Sequence, residues 1–284
     1  MHPWVVISIS AIFSGLVAIA VTLAIEKWGG VIGGGMGTMP TTIVPAAFGL
    51  RMNLGASEAF SEAMWTAPVG MLVNAGFLLL WRVIPRHLPR WSLFARLTVM
   101  VVLSLAAWFV GAMVVVHVMS GLRGMTKVMA GVGIAVTAVI ALMGVITCFQ
   151  PVAAPKGRHA VGMMTMLARG GLAAAAVALS VGLASVGGTV SAGIASVFPA
   201  IFLTTMVGLW VAQGEAVPAG AVGPMMLGST SVAVFALVSS QSMRWLGAGW
   251  GALLAWVVAV LFVTIPTVLW LSHGGRMRMS RMAR

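Results

Sequence analysis

Apolar runs of about 20 residues recur along the whole chain, and the short stretches between them hold nearly all of its charge. The runs cover roughly residues 3–26, 31–50, 59–82, 97–119, 128–150, 162–186, 189–212, 219–242 and 246–272. Each is long enough, as a helix, to cross about 30 Å of hydrocarbon. They are continuous rather than alternating polar and apolar, which excludes the strands of a membrane β-barrel. The pattern predicts an all-α polytopic membrane protein with about nine transmembrane helices.

The second of these runs has a later echo. Gly29-Gly30 opens a glycine-rich stretch that closes at Pro40, and Gly187-Gly188 opens a similar one that closes at Pro199. The correspondence continues through Gly49 with Gly208, Gly55 with Gly214, and Pro68 with Pro224. A Gly/Pro-interrupted membrane segment in corresponding places of two halves marks a duplicated, transporter-type architecture.

Charge fixes the expected orientation of those halves. With the C-terminal tail in the cytoplasm, that side holds Lys27, Arg82, Arg86, Arg90, Arg96, Lys156, Arg158, Arg276, Arg278, Arg281 and Arg284. The other side holds only Arg51, Arg123, Lys127 and Arg244. Turning the two Gly/Pro segments back without crossing would erase this positive-inside bias, so nine crossings are favoured over seven. The N-terminus is then outside, and 162–186 runs opposite to 3–26. The expected plan is an inverted 4+1+4 repeat with Gly/Pro-broken helices: one membrane domain over 1–284. Its parts are a first repeat at 1–120, a connecting helix and loop at 121–158, and a second repeat with a basic tail at 159–284. Pro85–Trp91 reads as an interfacial element.

Composition agrees with this class. The chain is 61% hydrophobic and 7% charged, too few polar residues to clothe a soluble domain. Its net charge of +12 belongs to basic residues at run ends, where they face lipid headgroups, and does not indicate nucleic-acid binding. A single cysteine, Cys148, rules out an internal disulfide or a cysteine metal cluster. The first run follows Met-His-Pro without a basic leader and reads as a retained helix.

The broken segments carry the candidate chemistry. Small residues four apart, as at Gly30/Gly34 and Gly33/Gly37, let helices touch through their backbones. Pro40 and Pro199 each remove an N–H and disturb the preceding turn, exposing carbonyl groups that must face protein or a wet cavity. Thr38, Thr41 and Thr42 in one copy, with Ser196, Thr204 and Thr205 in the other, place hydroxyls nearby. A half-helix that restarts after such a break presents a partly positive N-terminus, suited to an anion or polar head group. Kinked packing of two apolar helices is the simpler alternative. The glycines are not a soluble phosphate loop, since no Gly-Lys-Ser/Thr follows them.

Few charges lie inside the runs. Arg169 sits within the sixth and is expected either to meet an anionic group, to pair with Glu26, or to snorkel toward the interface. Glu58 and Glu62 share a helix face near a boundary with Arg51 close in sequence, as a gate, a cation-attracting vestibule or a solvated helix start. Glu215 stands at a similar place in the second copy. Asn74 is expected to hydrogen-bond between helices. His117 and His273 are isolated, so no metal site is expected, and no cofactor pattern is present. The chain has no aspartate and no carboxylate at a span centre, which argues against proton- or sodium-coupled cation exchange. No serine–histidine–acid or paired-carboxylate set can assemble within the membrane, so a hydrolytic enzyme is not expected.

At Gly37-Thr38-Met39-Pro40 and Ala195-Ser196-Val197-Phe198-Pro199 each half resembles the small four-helix bacterial inner-membrane proteins of the GlpM-like type. More distantly, the chain is similar to the drug/metabolite transporter plan of inverted repeats. The resemblance implies a bacterial inner membrane and a fused, inverted pair of such units. It departs from small drug exporters in placing Glu26 at the end, not the centre, of its first helix. The expected function is a permease for a small anionic or neutral polar solute, or a lipid-linked one, acting by alternating access. Its site would lie between 37–45 and 195–205, with Arg169 as charge partner. A non-transporting scaffold or assembly factor for an envelope complex is the alternative, and a lipid scramblase a third reading. Expected partners are the bilayer, a small solute or lipid, and a second copy or a membrane partner protein.

Overall fold

The computed structural model describes residues 2–28, 39–88, 91–149, 162–214 and 216–282, and the regular structure there is entirely helical. Helix α1 spans Pro3–Trp28, α2 Ile43–Leu54, α3 Glu58–Val83, α4 Leu93–Gly121, α5 Thr126–Phe149 and α6 Met163–Ser185. They are followed by α7 at Thr189–Ala195, α8 at Ala200–Gln213, α9 at Ala216–Trp245 and α10 at Gly247–Ala259. A π-helical turn at Val260–Thr264 carries α10 into α11, Ile265–Met282. Among the described residues, seven segments are long and apolar enough to cross a membrane, and Trp4–Ala20 and Ile43–Leu54 are shorter apolar helices. The chain is an all-helical, multi-pass membrane protein.

Several sequence expectations lie outside the described residues: Gly30, Gly33, Gly34, Gly37, Thr38, Arg90, Lys156, Arg158, Glu215 and the side chain of Glu26. Of the run expected at 31–50, the described helix starts at Ile43 and continues past the expected end to Leu54. The interfacial element is a short 3₁₀ turn at Pro85–His87, with Trp91 exposed.

Local chemistry sets the helix ends. Ser57 caps α3 by accepting from the Phe60 N–H at 3.4 Å, and Glu58 adds an acid to that first turn. Ser92 caps α4 in the same way through the Ala95 N–H at 3.3 Å. The corresponding glycines Gly55 and Gly214 end α2 and α8 at φ 69° and 92°, a region that only glycine enters without strain. The Gly55 N–H returns to the Arg51 carbonyl and the Gly214 N–H to the Trp210 carbonyl, each at 3.0 Å. Pro68 and Pro224 both lie inside long helices, α3 and α9.

Packing gives the helices their relative directions. Helices α1 and α6 are antiparallel: Gly170 faces Ile19 and Gly15, and Gly182 faces Ile7. At their crossing a Cβ on Gly15 would lie 3.1 Å from the Gly170 carbonyl oxygen, so the backbones are in contact. Helices α3 and α9 are also antiparallel, with Ser61 bonded to the Ser240 carbonyl and Glu58 paired with Arg244. Helix α5 lies along both. Its Gly133 meets the Trp65 carbonyl of α3 and Leu237 of α9, its Gly144 meets Leu227, and its Cys148 meets Gly223. Ser10 of α1 abuts Gly49 of α2, and Thr165 of α6 abuts Gly208 of α8.

Candidate functional site

Between α7 and α8 the chain leaves helical geometry at Ser196–Pro199. The Ala200 N–H closes a tight turn onto the Phe198 carbonyl, and the Leu203 N–H bonds to the Pro199 carbonyl, both at 2.8 Å. Ile201 and Phe202, between them, make no backbone N–H bond among the described residues. One carbonyl exposed by the break, that of Val197, is taken by the Asn74 amide at 2.7 Å. Helix α2 begins after Met39-Pro40, where the Thr41 N–H bonds to the Met39 carbonyl at 2.9 Å. Neither Thr42, at the N-cap of α2, nor Pro199, at that of α8, supplies a side-chain cap.

The starts of α2 and α8 border one cavity of about 340 Å³. Thr42 and Ile43 line it from α2, and Ser196, Pro199, Ile201 and Thr205 from the second break. Ser14 of α1, Asn74 of α3, Arg169 of α6 and Ser229 of α9 complete its polar lining, with Met71, Phe198 and Met225 among the apolar walls. No carboxylate lines it among the described residues.

Arg169 is the cation of this cavity and is only 8% exposed. Its Nε donates to Thr204 Oγ1 at 3.2 Å and its Nη2 to Thr205 Oγ1 at 3.0 Å. Thr204 in turn donates to the Ala200 carbonyl at 2.8 Å, so its oxygen lone pairs are turned toward the guanidinium. Arg169 is thus buried within the protein while it lines the cavity. Ser14 also has a packing duty, donating to the Ala173 carbonyl at 3.3 Å.

Of the residues singled out in the sequence, Thr42, Ser196, Pro199, Thr205 and Arg169 line this cavity, and Thr204 stands directly behind Arg169. Pro40 is buried but does not line it, and Thr41 lines a different, apolar groove. Ser14 and Ser229 carried no sequence signal, because a lone serine in an apolar run looks like any other small packing residue. Asn74 bonds between helices as expected and borders the cavity as well.

Glu58 and Glu62 lie elsewhere, at the start of α3. Glu58 pairs with Arg244 of α9 at 2.7 Å, and its side chain is 57% exposed. Glu62 is buried. It accepts from the Gly124 N–H at 3.0 Å and from Thr189 Oγ1 at 3.2 Å, with Arg123 Nε at 3.7 Å. Arg51, the basic residue nearest in sequence, instead donates to the Met243 carbonyl at 2.9 Å. Among the described residues, no group of three or more histidine, cysteine or acidic side chains could hold a metal.

No protein-family model, curated protein or solved structure matches this chain.

Proposed function

We propose that the protein is a permease for a small anionic or neutral polar solute, acting by alternating access between two inverted halves joined by α5. The observation that carries this reading is the convergence of two uncapped half-helix N-termini and Arg169 on one cavity. Each such terminus is equivalent to roughly half a positive charge, and broken helices of this kind present it to anionic substrate groups in transporters. The hydroxyls of Thr42, Ser196 and Thr205 suit the polar remainder of a solute.

The antiparallel pairing of α1 with α6 and of α3 with α9 supports inversion, because these are first with first and third with third helices of the two halves. Adding α1 and the second helix of the first half to the seven long segments, which already include α5 and α7–α8, then gives nine crossings. The basic residues Arg82, Arg86 and Arg96 support a cytoplasmic α3–α4 connection, with the N-terminus outside in a bacterial inner membrane. In this reading Glu58, Glu62, Arg244 and Thr189 form an outer gate. They tie the halves together, Glu58 about 20 Å and Glu62 about 14 Å of helix rise from Met71 at the cavity wall.

The test is flux into proteoliposomes with inorganic phosphate and small carboxylates as probes. Arg169→Ala and the Pro40→Ala/Pro199→Ala pair abolish transport while the protein still inserts and stays monodisperse. Wild-type flux in those variants would remove the site. A stoichiometric membrane partner with no solute response would favour the scaffold reading instead.

A further inference from the structure

A second cavity lies behind the first, and its chemistry is the opposite. Phe13 of α1, Val44 and Phe48 of α2, and Ala252, Leu253 and Trp256 of α10 enclose about 330 Å³. Thr41 brings the only side-chain hydroxyl among its described lining residues. Its lip faces the surrounding medium, with Phe13 46% and Leu253 49% exposed. These residues sit within apolar helices, and in the membrane-spanning reading the lip faces hydrocarbon rather than water.

The two cavities are back to back across a single layer of chain. On α1, Ser14 lines the polar cavity while Phe13 lines the groove. At the start of α2, Thr42 and Ile43 line the polar cavity while Thr41 and Val44 line the groove. A cationic chamber and a lipid-facing apolar slot therefore share the first turn of α2 as their partition. That turn follows Pro40, and its N-cap makes no side-chain bond to hold it closed.

We propose that the substrate of the Arg169 cavity is an anionic amphiphile that enters from the bilayer. Its phosphate or carboxylate head lies against Arg169, Thr205 and the α8 N-terminus, and its alkyl chain lies in the groove once the uncapped Thr41–Thr42 turn shifts to join the two cavities. This inference rests on reading the Arg169 cavity as the solute site and narrows the class of solute. The two halves of the ligand have separate tasks. The chain reaches the groove from lipid and gains shape fit rather than a water-exclusion term. The head gains charge-assisted hydrogen bonds that lipid cannot offer.

The experiment uses the full chain in nanodiscs of zwitterionic lipid and reads the unfolding midpoint and the half-saturating concentration of each probe. The probes are dodecyl phosphate below its micellar concentration, inorganic phosphate and dodecanol. Dodecyl phosphate is expected to stabilise the protein at concentrations at least tenfold below those needed for inorganic phosphate, and dodecanol to have no effect. Gly249 borders the groove, and a Cβ there would meet nothing within 4 Å. Gly249→Phe should therefore fill the slot, weaken dodecyl phosphate at least tenfold and leave the inorganic phosphate response at its wild-type level. Leu253→Trp, at the exposed lip, is a second blocker with the same expected split. Equal half-saturation for the two phosphates, or blockers that leave dodecyl phosphate unchanged, would overturn the amphiphile while the polar cavity stands. Arg169→Gln weakens both phosphates; if it weakens neither, the reading of the cavity itself fails.

Discussion

Asn74 holds the Val197 carbonyl at 2.7 Å while its own side-chain oxygen accepts from the Trp108 indole N–H at 2.7 Å. One amide thus joins α3 and α4 to the break between α7 and α8, and it is almost wholly buried. Asn74→Leu keeps the volume but leaves a donor and an acceptor without partners. The expected cost is about 1–3 kcal/mol, read as a lower unfolding midpoint in detergent. Asn74→Gln places the same groups one methylene farther out and should not restore it. An unchanged midpoint in Asn74→Leu would mean that Val197 and Trp108 find other partners.

Two glycines in similar helical settings should respond in opposite ways. A Cβ on Gly193 would overlap the Ala63 carbonyl and come within 3.0 Å of Thr66 Cβ, where α7 packs on α3. Gly193→Ala must therefore push two backbones apart, at a cost of roughly 1–3 kcal/mol. Gly76 has nothing within 4 Å of such a Cβ. Gly76→Ala should stabilise the helix by about 0.5–1 kcal/mol through lost unfolded-chain freedom. Thermal unfolding of both variants in one detergent makes the comparison, and equal shifts would contradict the close α3–α7 contact.

The helices and the break at Pro199 were legible because their signals are local. An apolar run of about 20 residues, or a proline after a glycine stretch, announces its effect where it stands. Arg169 was legible for a related reason, as a lone cation inside such a run. The partners of Glu58 and Glu62 were not. Sequence proximity favoured Arg51, yet Arg244 and Arg123 take those places because tertiary packing brings α9 and the α4–α5 turn to the start of α3. Thr41 and Thr42 were read together as hydroxyls of one site. Adjacent residues in a helical turn point about 100° apart, and here that separates an apolar groove from a polar cavity. The groove itself had no sequence mark, since its lining differs in no way from ordinary lipid-facing or packing residues.

The Arg244–Glu58 pair should matter more for opening than for stability. Both side chains are partly exposed, so screening limits the pair to about 0.2–1 kcal/mol in a double-mutant cycle. Arg244 also donates to Ser61 Oγ at 3.2 Å and to the Ala56 carbonyl at 3.3 Å, so its removal loosens three ties between α9 and the start of α3. In a Cys148→Ser background, Ser196→Cys reports access to the cavity from the Glu58 side. Arg244→Ala is expected to raise its labelling rate by an impermeant thiol reagent several-fold, with little change in midpoint. The charge-swapped Arg244→Glu/Glu58→Arg pair should return the rate toward its starting value. Labelling that ignores both variants would deny these residues a gating role.

Inversion of the halves is open to a direct topological test, because it fixes the grouping of five connections at once. Helices α1 and α6 run in opposite senses, and so do α3 and α9. The α3–α4 connection must then share a membrane face with the segment between α5 and α6, while the α2–α3, α4–α5 and α9–α10 turns occupy the other. Ala56, Met125 and Leu246 are exposed in those three turns, and Arg86 is exposed at the α3–α4 connection. Single cysteines at 56, 125 and 246, in the Cys148→Ser background, should react with impermeant reagent added to intact spheroplasts. Cysteines at 86 and 156 should react only after the membrane is opened. The positive-inside rule sets which group is outside, but the grouping itself comes from helix direction alone. Reaction of positions 86 and 156 from opposite faces would deny that both α4 and α5 cross the membrane, and reaction of position 246 from the face opposite position 56 would break the antiparallel pairing of α3 with α9.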